Sequence, residues 1–148
     1  MNLAATEGAP CAGDDVLGIG TDLVDVDRLR QALERTPSLR ARLFTDEEWA
    51  YSCRHRDPVP HLAARFAAKE AAMKALGAGM SRMPFGQVEV VRDAEGVPSL
   101  RLHGAAAEVA RSAGVRRWHL SLTHTGALAQ AFAVAIGTPQ GPDGPGAP

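Results

Sequence analysis

Lysine is almost missing from this chain: Lys69 and Lys74 stand against fourteen arginines. Cysteine is equally scarce. Cys11 and Cys53 by themselves cannot build a disulfide framework or a zinc site, so a reducing, cytoplasmic setting is the simplest expectation. An excess of one charge is lacking too. A formal net charge of −1, with 22% charged residues, gives no global field to gather nucleic acid. No apolar run approaches the ~20 residues of a bilayer crossing. The opening MNLAATEGAPCAGDD has neither the basic flank nor the apolar stretch of a secretory signal. No membrane association is expected, and no internal repeat is visible.

What is present suits one compact domain, since 148 residues at 45% hydrophobic are too few for two ordinary ones. Residues 1–15 read as a flexible N-terminal extension and 16–137 as the folded unit. Residues 138–148, with four prolines and three glycines, read as a disordered tail. Val16–Gly20 is β-like. Val26, Leu29 and Leu33 mark one buried stripe of a helix over Val26–Arg35, stopped by Pro37. Thr45 and Glu48 have the form of a capping box, starting a helix that runs to about Arg54. A third helix covers about His61–Leu76, with Gly77 as its stop. Gln87–Arg92 and Ser99–Leu102 flank the turn signal Asp93-Ala-Glu-Gly96, a hairpin. An Ala-rich helix over Gly104–Gly114 follows. Trp118–Thr123 alternates as a strand with one polar face, and Ala127–Ile136 is apolar on both faces, hence buried or in a subunit interface. Helices mixed with mainly antiparallel strands make an α+β domain.

The third helix resists a purely structural reading. On a wheel of ~100° per residue, Leu62, Phe66, Met73 and Leu76 form one face and alanines fill nearly all the rest. Lys69 projects from the middle of the large-residue face, Glu70 from its edge, and Lys74 beside Glu70. An ordinary i,i+4 surface pair is one account. Yet the helix has no clearly polar face, and a charge in apolar surroundings calls for a partner such as a metal or phosphate. A chain that otherwise uses arginine places its only two compact ammonium groups here, as a phosphate site would.

Asp22 follows the short strand carrying Gly18 and Gly20. Its carboxylate can join Glu70 as a hard oxygen ligand for Mg²⁺, an ion that leaves its other positions to water and substrate phosphates; a helix cap is the plainer alternative. Asp25 and Asp27 suit the acidic first turn of a helix. Ser121 and Thr123 lie on the polar side of their strand, with His124 at its end.

Four stretches together resemble the short, holo-acyl-carrier-protein-synthase type of 4′-phosphopantetheinyl transferase. They are Gly18-Ile-Gly-Thr-Asp22-Leu-Val, Phe44-Thr-Asp-Glu-Glu48-Trp-Ala-Tyr51, Arg65-Phe-Ala-Ala-Lys-Glu70-Ala-Ala-Met-Lys74-Ala-Leu-Gly77 and Leu120-Ser-Leu-Thr-His124-Thr. The resemblance implies that family's fold, a mainly antiparallel sheet packed against a long central helix, assembled as a homotrimer with sites at subunit interfaces. It implies that Asp22 and Glu70 hold Mg²⁺, that Lys74 with Lys69 neutralises phosphate, and that Arg65, Phe66, Ser121 and His124 line the coenzyme A pocket. A serine of an apo acyl carrier protein, from fatty-acid or polyketide synthesis, would attack the β-phosphate of coenzyme A and 3′,5′-ADP would leave. Glu70, a metal-bound water and His124 are all candidate acceptors of the serine proton. Such carriers are acidic. Arg28 and Arg35 share a helix face and Arg42 lies nearby, so this arginine-rich region is the expected docking surface. The rivals are another Mg²⁺-dependent phosphotransferase acting on a nucleotide or small metabolite, and a non-catalytic oligomeric binding module whose helix charges are interface salt bridges.

Overall fold

The computed structural model describes residues 13–140. The extension expected over residues 1–15 lies outside the described residues except for its last three, the tail expected over 138–148 except for its first three; Cys11 lies outside them as well. The chain opens with a strand, β1 (Asp15–Asp25), longer than the Val16–Gly20 expected. Gly18 and Gly20 do not end it. Helix α1 (Val26–Arg35) follows, capped by the Asp25 carboxylate, which accepts from the Arg28 amide at 2.9 Å. The cap role therefore falls to Asp25 and not to Asp22. A five-residue helix, α2 (Leu39–Leu43), escapes the periodicity because it is barely one turn long and has no side-chain cap. Helix α3 (Asp46–Ser52) opens on the capping box of Thr45 and Glu48.

Helix α4 (Val59–Leu76) begins with Pro60 in its first turn and ends at Gly77, whose φ of 60° is the left-handed cap. A 3₁₀ turn (Phe85–Gln87) leads into the hairpin of β2 (Val88–Arg92) and β3 (Pro98–Leu102). Helix α5 (Gly104–Ser112), β4 (Val115–His124) and β5 (Leu128–Gly137) complete the chain. The main sheet is antiparallel, in the order β1-β5-β4. Among the described residues no helix is long and apolar enough to cross a membrane.

Helix α4 lies on one face of this sheet, against β1 and β5. The contact is made by backbone and methyl groups. Ala129, Ala131, Ala133 and Ala135 of β5 are fully buried, as are Ala67, Ala71 and Ala72 of α4. A Cβ on Gly20 would fall 1.8 Å from the Ala71 carbonyl oxygen, and one on Gly18 equally close to that of Ala75. The Gly-x-Gly of β1 therefore serves close packing. The opposite face of the sheet is uncovered: Ile19 is 64% exposed and Phe132 47%, with Leu23 and Leu128 beside them.

Candidate active site

Residues paired across a sheet share a face. Asp22 pairs with Ala131, which pairs with Leu122, so all three face α4. Two residues after the Gly20 contact with Ala71, the Asp22 carboxylate is carried to the neighbouring Glu70. Asp22, Glu70, Arg28, Leu29 and Phe66 line a cleft of about 370 Å³ between β1, α1 and α4. Lys74 is one helical turn from Glu70, yet its Nζ donates to Asp22 Oδ1 at 2.9 Å and to the Thr21 carbonyl at 3.0 Å. The i,i+4 surface pair is thus not formed. Glu70 has no ion-pair partner among the described residues. Burial, and then the nearby Asp22 carboxylate, hold its pKa above the ordinary value, with Lys74 opposing.

Asp22 and Glu70 face one cleft, and the Asp22 carboxylate makes the charged form of Glu70 costlier; such a pair is a donor set that favours a hard cation. Among the described residues no group of three or more His, Cys, Asp or Glu could cage a metal. A carboxylate pair fits Mg²⁺, which needs only one or two protein ligands beside water and phosphate oxygens.

Lys69 departs from expectation. Its side chain is 0% exposed, and its ammonium donates to Glu48 Oε2 at 2.7 Å, the Leu43 carbonyl at 2.7 Å and the Phe85 carbonyl at 2.9 Å. All three donors are used, so Lys69 has none for phosphate. Glu48 also accepts from the amides of Thr45 and Val90. Removing either partner alone strands a buried charge, at about 3–5 kcal/mol.

Phe66 stands in the wall between the carboxylate cleft and a second, apolar cleft of about 580 Å³, lined by Leu29, Leu39, Leu43 and Phe85 with Glu70 and Arg42 at its edge. Its ring stacks on Phe85, centroids 5.2 Å apart. Arg28, Arg35 and Arg42 are exposed and form no ion pair among the described residues. Arg30, by contrast, is tied to Asp57 at 2.7 Å, and Arg40 lies over the Trp49 ring.

Arg65 and His124 lie elsewhere. Arg65 is five residues before Glu70 on α4, roughly 140° around the helix, and is 2% exposed. Its guanidinium lies over the Tyr51 ring at 4.1 Å, where Arg92 and Arg54 also converge. The His61 ring stacks on His55 at 3.5 Å and meets His124 edge-on at 4.8 Å. His124 ends β4 and Asp22 sits on β1, at opposite edges of the sheet. Within one chain His124 and the Asp22–Glu70 cleft therefore stand apart across the sheet. Nor do Ser121 and His124 share a wall: Ser121 pairs with Phe132 on the uncovered face, and His124 with Ala129 on the face toward α4. Arg65 Nε and His55 Nδ1 are buried without a hydrogen-bond partner. Orphaned polar atoms of this kind mark a place where a water or ligand is received.

Sequence reasoning missed Tyr51, Arg92, His55, His61 and Phe85. His61 lies four residues before Arg65, hence on the same helix face, and was the one visible signal.

Residues 18–136 match the model of the 4′-phosphopantetheinyl transferase superfamily. A holo-[acyl-carrier-protein] synthase from Clavibacter sepedonicus is 49% identical over 122 residues, covering 82% of this chain and 97% of that protein. The crystal structure of the Neisseria meningitidis holo-[acyl-carrier-protein] synthase superposes with a TM-score of 0.75 at 32% identity, over 82% of this chain and 98% of that one. A Chronobacterium ammoniagenes enzyme of this kind, solved as a complex with coenzyme A, gives 0.72 at 28% identity, over 83% and 98%.

Proposed function

The chain belongs to the 4′-phosphopantetheinyl transferase superfamily, and on that premise we propose how its residues carry out the transfer. The enzyme moves the phosphopantetheine arm of coenzyme A to a serine of an apo acyl carrier protein, releasing 3′,5′-ADP. The observation that supports the assignment of roles is the facing pair Asp22 and Glu70 with Lys74 at their rim.

Asp22 and Glu70 would hold Mg²⁺, which when bound supplies charge neutralisation at the pyrophosphate. Lys74, half-exposed and anchored on Asp22, presents an ammonium where phosphate charge accumulates. The incoming serine hydroxyl must lose a proton as it attacks. Asp22, Asp25 and Glu70 are the carboxylates that line this cleft; Asp25 is engaged as the α1 cap, and Glu70, whose pKa burial holds above the ordinary value, is assigned as the acceptor. Phe66 shields the cleft wall from water.

The guanidinium cluster of Arg54, Arg65 and Arg92 suits the phosphates of coenzyme A, but it stands at the other edge of the sheet. A second copy resolves the separation. If the uncovered sheet face, with Ile19, Leu23, Leu128 and Phe132, packs against other copies, the arginine and histidine cluster of one chain can meet the carboxylate cleft of the next. A homotrimer closes that arrangement in a ring. The acidic carrier protein would dock on Arg28, Arg35 and Arg42, in the cytoplasm, where thiols such as the exposed Cys53 stay reduced.

The test is mass spectrometry of an apo acyl carrier protein incubated with coenzyme A, Mg²⁺ and this protein. One added phosphopantetheine arm is expected. Glu70→Gln should lose about 10²–10³-fold in kcat, the cost of removing one preorganised charge contact, with an unchanged oligomer. Weakened assembly with transfer intact would instead make Glu70 a subunit-interface residue and not a metal ligand.

A further inference from the structure

Lys69 is absent from the mechanism above, yet its ammonium is bonded to the backbone of two segments that wall the apolar cleft. The apolar cleft beside Glu70 has walls from separate segments: Leu29 of α1, Leu39 and Leu43 of α2, Phe66 of α4, and Phe85 of the 3₁₀ turn. Two of these elements are too short to hold themselves in place. Helix α2 has five residues and no side-chain cap, and the turn has three. Both are secured by the same atom. Lys69 Nζ donates to the carbonyl of Leu43, the last residue of α2, and to the carbonyl of Phe85. Its third donor goes to Glu48, which is itself fixed to the amides of Thr45 and Val90. Lys69 also follows Phe66 by three residues on α4 and precedes Glu70 directly.

We propose that Lys69 is a positioning residue for the carrier protein: by clamping the Leu43 and Phe85 carbonyls to α4 it sets the width of the apolar cleft beside Glu70. The clamp acts on the protein substrate alone, because coenzyme A phosphates are met by other groups. The inference rests on the transfer reaction assigned above. The carrier is the fitting occupant because Arg42 edges this cleft and Arg28 the adjoining one, so an acidic helix with an apolar face matches both surface types.

Losing Lys69 alone would leave Glu48 buried and uncompensated, so the informative variant is Lys69→Met with Glu48→Gln, which removes both charges together. The KM for apo carrier protein is expected to rise about tenfold, as truncating a well-packed anchor site commonly does. The KM for coenzyme A should stay within about twofold, and kcat at saturating carrier should change little. Hydrogen exchange should quicken at residues 39–43 and 85–87 and not over α1. Lys69→Arg provides a second route. It keeps the charge, but its planar fork cannot serve three converging acceptors, and the same split is expected. Unchanged carrier KM in either folded variant, or an equal loss in both KM values and kcat, overturns the proposal. Absence of transfer by the wild-type protein would instead sink the assigned reaction.

Discussion

At the scale of single residues, Glu70 and Lys74 sit one helical turn apart and each looks to a different place. Lys74 turns to β1, while Glu70 keeps company with Asp22 across the cleft. Lys69 shows why the residue scale is hard to read in a sequence. Its position in the middle of a large apolar face was legible, as was its need of a partner. That the partners are Glu48 and two carbonyls, with no phosphate among them, depends on α2 and the 3₁₀ turn folding back on α4, and no local pattern encodes that. His61 carries a second consequence. Burial, then the neighbouring His55 and His124, lower its pKa from 6.5 to about 4. The folded state therefore binds fewer protons than the unfolded state between those values, and stability must fall as pH drops from 6.5 toward 4. Thermal melts across that window should lose more for the wild type than for His61→Gln; equal slopes would remove His61 as the cause.

At the scale of elements, most of the fold was written in period and punctuation. The spacing of Val26, Leu29 and Leu33, the Thr45–Glu48 box and the Gly77 stop place α1, α3 and α4 where the structure has them. Strand β1 was read too short, because glycine in a strand commonly signals an end, whereas Gly18 and Gly20 here admit the α4 backbone. That distinction depends on what lies across the sheet, which a local window does not contain. It also makes a sharp prediction. Gly20→Ala forces its Cβ into the Ala71 carbonyl, so strand and helix must separate. Overpacking of this kind costs about 1–3 kcal/mol, read as a lowered Tm. Because Asp22 and Glu70 ride on the two elements being pushed apart, transfer should fall even well below the melting temperature. Full activity in a destabilised Gly20→Ala protein would show that the carboxylate spacing tolerates the shift.

At the scale of the whole molecule, charge and apolar surface are distributed unevenly although the net charge is only −1. Among the described residues Arg28, Arg35 and Arg42 form no ion pair, while Arg30 is tied to Asp57. Reversing Arg28 and Arg35 to glutamate should slow association with an acidic carrier and flatten its salt dependence; an unchanged KM for carrier at low salt would argue for docking elsewhere. The placement of the carboxylate cleft and the arginine–histidine cluster at opposite sheet edges has a genetic consequence. In the proposed assembly two crippled copies, Glu70→Gln and Arg65→Met, would each spoil a different half of every shared site. Mixed and allowed to exchange subunits, they should regain part of the lost transfer, since some junctions then join an intact half from each parent. A chain that worked alone would show no such complementation.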